Sequence, residues 1–158
     1  MLFRSLADLY QRAIDIIIAR RGPDHPDVAR GYGQLGVLYL DLGQFERAEE
    51  MLVRTQAIFA ANFDPASSEM ATANAYLAKV YNARGRHADA EVLLRRVVAV
   101  REAQLAPDNL LLLEAADDLM VSLKAQGKES EAAEVESRYD FAPYHATLAK
   151  FAEEAAQE

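Results

Sequence analysis

A fixed period of 42 residues runs through this chain. The stretch Leu35–Leu52, LGVLYLDLGQFERAEEML, returns as LAKVYNARGRHADAEVLL at Leu77–Leu94 and fades into LMVSLKAQGKESEAAEVE at Leu119–Glu136. Three columns hold the register: Leu35, Leu77 and Leu119; Gly43, Gly85 and Gly127; Ala48, Ala90 and Ala132. A period of this length marks stacked supersecondary units, none of which can bury its apolar face alone. The expected object is therefore a wall of helical repeats that offers contact surface.

Within the period, apolar residues recur at three- and four-residue steps, the spacing of a helix with one buried stripe. They place helices at about residues 2–21, 26–42, 44–62, 67–84, 86–105, 108–126 and 128–139, with an eighth at about 143–156. The expected fold class is all-α. The two helices of each unit are joined by one glycine-centred step at Gly43, Gly85 or Gly127, and so short a connection forces antiparallel neighbours. Pro23, Pro65 and Pro107, again 42 apart, punctuate the linkers between units. In the first linker Gly22 suits a left-handed helix end. Asp24 or His25 then takes the N-cap, followed by Pro26 in the first turn.

Both ends depart from the pattern. A shift of 42 aligns residues 2–21 with Phe45–Phe63, so this helix reads as the second of a pair, with Leu2, Phe3, Leu6 and Leu9 along an open apolar edge. At the other end Glu136 stands where Leu52 and Leu94 stand earlier, and Tyr139–Tyr144 interrupts the helix. Ala146–Ala156 follows as a short helix with Leu148, Phe151, Ala152 and Ala155 on one side, expected to close the stack with a polar outer face. From Lys128 onward eight acidic residues face three basic ones, which suits a solvated cap.

Composition narrows the function. The net charge of -8 argues against nucleic acid or anionic lipid as a partner. There is no cysteine, which excludes disulfides and thiolate chemistry. Apolar runs such as Ile16–Ala19 and Leu110–Leu113 are far too short to span a bilayer, and no signal peptide is evident. A cytoplasmic address is the expectation. Arginine outnumbers lysine 13 to 4, a bias of GC-rich bacterial genomes.

Catalytic signatures are absent from the sequence. Gly31-Tyr-Gly33-Gln-Leu-Gly36 spells GxGxxG, but it lies inside a helix and follows no strand, so it cannot cradle a phosphate. His25, His87 and His145 share no helix face and do not suggest a metal site. Asp117 and Asp118 are adjacent on a helix and point about 100° apart, unlike a catalytic dyad. Neither enzyme activity nor a cofactor is expected.

The motif positions Leu35, Gly36, Tyr39, Gly43 and Ala48, repeated as Leu77, Ala78, Tyr81, Gly85 and Ala90, resemble the tetratricopeptide repeat (TPR) family. The 42-residue period, Leu-Tyr-Gln-Arg-Ala-Ile at 9–14 and Gly-Pro-Asp-His-Pro-Asp-Val-Ala at 22–29 are similar to its long, kinesin-light-chain-like form. That resemblance implies a right-handed α-solenoid of antiparallel helix pairs. It would be one domain over 1–158: a half repeat at 2–25, repeats at 26–67 and 68–109, a degenerate repeat at 110–139, and a capping helix at 140–158. It also implies that the first helices line a concave groove. By register the groove residues are then Arg30, Gln34, Val37, Leu40 and Asp41, followed by Thr72, Tyr76, Lys79 and Asn82, and finally Asp117, Asp118, Val121 and Lys124. Many relatives carry an asparagine pair just before the leucine of the first helix. Here those positions are Gly33-Gln34, Ala75-Tyr76 and Asp117-Asp118, so only Gln34 keeps an amide. The implied function is a non-enzymatic module holding a protein or peptide partner in the groove. The alternatives are self-association, as a homodimer through the open N-terminal edge, and a regulatory fragment of a larger protein.

Overall fold

Each repeat builds two helices because a left-handed glycine separates two amphipathic stretches. The computed structural model describes residues 2–156, with side chains from Leu6 onward. Among the described residues there are eight helices and no strand. They are α1 (Leu2–Arg21), α2 (Pro26–Asp41), α3 (Phe45–Asn62), α4 (Ser68–Ala83), α5 (His87–Gln104), α6 (Leu110–Ala125), α7 (Glu129–Arg138) and α8 (Ala142–Ala155). Gly43, Gly85 and Gly127 take φ of 68°, 74° and 72° at the turns between paired helices. An L-residue with a side chain adopts that conformation only under strain. Gly22, with φ 89°, ends α1 in the same way.

The linkers start the first helices by side-chain capping. His25 is the N-cap of α2, its Nδ1 accepting from the Asp27 N–H at 3.1 Å, so the choice between Asp24 and His25 falls to the histidine. Ser67 caps α4 and Asn109 caps α6 in the same manner. Each cap satisfies one of the orphan N–H groups of a helix start, a contribution of about 1 kcal/mol.

The chain forms two compact units, Met1–Arg86 and His87–Glu158. In unit 1, α1 packs on α2, α2 on α3, and α3 on α4. Ile14, Val28, Leu35, Leu38 and Met51 form one apolar cluster, joined by Tyr10, Tyr32 and Tyr39. Ala29, Phe59, Met70 and Ala73 form a second, with Phe63 meeting Phe59 edge-on at 5.4 Å. In unit 2, α6 is the central element and packs against α5, α7 and α8. Leu94, Val97, Leu112, Leu113, Leu119 and Leu123 are buried there. Burying one such side chain is worth about 1.5–3 kcal/mol, so these rows hold the helix pairs together.

The end of unit 2 differs from the expected cap. First helices begin at residues 26, 68 and 110, so the next in register would begin at 152; α8 begins ten residues earlier. The break at Tyr139–Phe141, followed by Pro143, stops α7 after 10 residues, where α3 and α5 run for 18. α8 packs on α6, and Phe141 is its N-cap. Phe141 is buried there, edge-on to Tyr139 at 6.0 Å and stacked with His145 at 5.9 Å. The apolar side of α8 is not covered: no α8 residue is buried, and Leu148 and Phe151 are exposed.

Candidate partner-binding site

The residues expected to face a partner fall into both units, and each unit treats them differently. In unit 1, Arg30, Gln34 and Val37 of α2 converge with Thr72 and Tyr76 of α4 around one cavity of about 160 Å³. Its floor comes from α3, through Leu52, Thr55 and Phe59, with Ala29 and Ala73 between. These α3 residues were missed from the sequence, because the family resemblance assigns second helices to the opposite wall. A large side chain such as Phe59 nevertheless reaches through the layer.

Two glycines of α2 explain why the cavity sits where it does. A Cβ on Gly36 would lie 2.7 Å from Leu52 Cγ, so this glycine permits a close approach of α2 to α3. A Cβ on Gly33 would meet Thr55 Cγ2 at 3.6 Å, an ordinary contact, so the absent side chain there leaves open space. The Thr55 hydroxyl has one proton, which it donates to the carbonyl of Met51 (2.9 Å) or of Ala29 (3.2 Å), and is thereby satisfied. The floor is consequently apolar in effect.

The rim is polar. Arg30 donates to Asp27 at 2.6 Å. Among the described residues, the side chains of Gln34, Thr72 and Tyr76 make no hydrogen bond within the protein. An amide is both donor and acceptor, so Gln34 can pair with one peptide unit of a bound chain. The volume falls below the roughly 300–1,000 Å³ of small-molecule pockets and suits one apolar side chain.

The remaining candidates lie outside that cavity. Leu40 is half-buried and Asp41 exposed on the last turn of α2, while Lys79 and Asn82 are half-buried on α4. Ala75, which shares their stripe, is buried. In unit 2, Asp117 and Asp118 are half-buried, and Val121 and Lys124 exposed, along α6. None of these four lines the cavity of unit 2. That cavity, about 190 Å³, opens among Arg95, Glu102, Leu119, Glu131, Arg138 and Tyr139. On α1, Leu6 and Leu9 are exposed; the side chains of Leu2 and Phe3 lie outside the described residues.

A recurring ion cluster also went unread. Glu49 of α3 accepts from Arg84 and from Arg86 (2.8 Å), the two residues flanking Gly85. Shifted by 42, Glu91 of α5 accepts from Gln126 (2.9 Å) and Lys128 (2.7 Å), which flank Gly127. The spacing of Glu49 and Glu91 was a readable signal. In unit 2 the cluster is larger, since Arg95 also donates to Glu91 (2.9 Å) and pairs with Glu131. Burial alone would raise the Glu91 carboxyl, but hydrogen bonds from Lys128, Arg95 and Gln126 outweigh it and bring its pKa down to about 2. Tyr139, at the edge of the same unit, is pushed up to about 12 by burial and by its hydrogen bond to Glu102. Both clusters pin helices to turns.

No helix among the described residues is long and apolar enough to cross a membrane, and no group of three or more of their acidic and histidine side chains could hold a metal ion. Residues 7–61 and 71–109 each match a family model described as tetratricopeptide repeat, and the matched segments together take in more than half of the chain. No curated protein matches the chain in sequence. Among solved structures, the nearly identical TPR-like repeats of a Podosopora anserina protein described as a kinesin light chain superpose with a TM-score of 0.68. The identity is 24%, over 94% of this chain and 68% of that one. A point variant of the same protein gives 0.69 at 24% identity, over 96% and 69%. BtubC (BKLC) from P. vanneervenii gives 0.79 at 22% identity, over 92% of this chain and 57% of that one. At these identities the likeness establishes the fold.

Proposed function

Because this chain belongs to the tetratricopeptide repeat family, whose fold is a non-enzymatic protein-interaction fold, we propose that unit 1 binds a peptide segment of a partner protein across α2 and α4. One observation carries the reading: an apolar cavity sized for a single side chain, rimmed by Gln34, Thr72 and Tyr76, whose polar groups make no hydrogen bond within the described residues. Gln34 and Thr72 are exposed and Tyr76 half-buried, so their polar groups stand open to a main chain laid beside an apolar anchor, as in other peptide-reading grooves. Leu40 and Asp41 extend the same face of α2, and Lys79 and Asn82 that of α4. In unit 2, Asp117, Asp118, Val121 and Lys124 form a more acidic face suited to a basic residue of the partner. A cytoplasmic address belongs to this proposal.

The test is selection of binders from a displayed peptide library, followed by affinity measurement against variants. Peptides carrying one large apolar side chain are expected to emerge. Tyr76→Ala and Gly33→Leu, which removes a wall and fills the cavity respectively, are expected to weaken them at least tenfold with helicity unchanged. Selected peptides that bind both variants as tightly as the wild type would overturn the assignment.

A further inference from the structure

Five of the large apolar side chains that stay exposed lie on the first and last helices: Leu6, Leu9 and Ile16 on α1, Leu148 and Phe151 on α8. On α1, Leu6, Leu9, Ala13 and Ile16 follow steps of three, four and three, which places them on one helix face. On α8, Tyr144, Leu148, Phe151 and Ala155 follow steps of four, three and four. Each is the seam of a helix that packs lengthwise on another helix, and each spans about three turns.

Register shows what the α1 seam lacks. Leu6 is 38% exposed, whereas its counterparts Ala48, Ala90 and Ala132 are completely buried. Leu9 is 58% exposed, whereas Met51 and Val135 are buried. Ala13 is exposed, whereas Thr55 and Val97 are buried. These positions are covered in the later second helices and open on α1.

The flanking charges are of opposite sign. Arg12 and Arg20 lie beside the α1 seam and Glu154 beside the α8 seam. Among the described residues, none of these three forms an ion pair within the protein. The alternative of two α8 seams meeting each other is disfavoured by charge. Residues 87–158 carry fifteen acidic and seven basic side chains, against ten of each in residues 1–86. Like-charged faces repel, while a balanced one does not.

We propose that the α8 seam of one copy seats on the α1 seam of a second copy, Phe151 and Leu148 covering Leu6, Leu9 and Ile16. Such a contact joins two different surfaces, so it propagates head to tail unless the copies close into a ring.

Sedimentation velocity of the full chain over a range of concentrations tests this with two variants, Leu9→Glu and Phe151→Ser. Both positions are exposed, so the helices are expected to persist, and circular dichroism checks that they do. The wild type is expected to associate beyond a dimer or into a closed ring, and each variant to raise the dissociation constant at least tenfold. Mixing the two variants is the decisive arm. Leu9→Glu retains α8 and Phe151→Ser retains α1, so the mixture is expected to form a heterodimer that grows no further. A wild type that stays monomeric at millimolar concentration overturns the proposal, as does association that both variants leave intact, or a mixture that stays monomeric. These outcomes are independent of peptide binding in unit 1, which involves neither seam.

Discussion

Units 1 and 2 are built on one repeat pattern, yet they differ in charge and in what their cavities are made of. Residues 1–86 are electrically balanced and enclose an apolar cavity over Phe59. Residues 87–158 carry the whole net charge of -8, and their cavity is walled by Arg95, Glu102, Glu131 and Arg138. The difference traces to single columns. Phe59 of α3 becomes Arg101 of α5, which is buried and donates to the Leu111 carbonyl. Gly36 of α2, where α3 approaches too closely for a side chain, becomes Ala78 and then Met120. The glutamate column shows the same drift: the Glu49 side chain is 22% exposed, the Glu91 side chain 10%. One scaffold thus tolerates an apolar recess in one unit and an ion-bound joint in the other, because the repeat constrains only the columns where helices touch.

If that contrast is sound, the shared columns should cost the most to disturb. Leu35→Ala in unit 1 and Leu119→Ala in unit 2, at the same column of the repeat, each remove a buried side chain and are expected to cost about 2–5 kcal/mol in denaturant unfolding. A marked inequality between them would show that one unit relies less on its core.

The ion joint is next. Because the folded pKa of Glu91, about 2, lies below its ordinary value of 4.5, its stabilisation is present above pH 4.5 and lost as pH falls towards 2. Glu91→Gln is expected to cost on the order of 1–3 kcal/mol at neutral pH and to flatten the acid limb of the stability curve. Glu49→Gln, at the more exposed equivalent position, is expected to cost on the order of 1 kcal/mol or less. Equal losses would erase the distinction between the two clusters.

The two glycines of α2 are expected to differ in sign. Gly36→Ala forces a methyl against Leu52 and is expected to destabilise by about 1–3 kcal/mol. Gly33→Ala meets only ordinary contacts and is expected to stabilise the helix by about 0.5–1 kcal/mol. Thermal unfolding followed by circular dichroism reads both signs.

Much of the fold was legible before any coordinates. The period, the glycine turns and the three- and four-residue steps placed all eight helices, the first seven with boundaries that differ by no more than two residues from those observed. Local chemistry dictates each of these features: a left-handed turn needs glycine, and a helix start needs a cap and tolerates proline. The candidate site was legible only in outline. Arg30, Gln34, Val37, Thr72 and Tyr76 do share one cavity, but its floor of Leu52, Thr55 and Phe59 was not anticipated.

The residue order therefore carries the repeat, the turns, the helix faces and the charge imbalance, since all of these depend on neighbours within a few positions or on a fixed spacing. Folding in three dimensions settles which glycine marks a tight approach and which leaves a recess, and whether a given carboxylate is gripped by one cation or several. It also leaves the apolar side of α8 uncovered, although its pattern suggested a closing cap. Those outcomes depend on distances between side chains far apart in the chain, and a spacing rule along one strand of sequence holds no information about them.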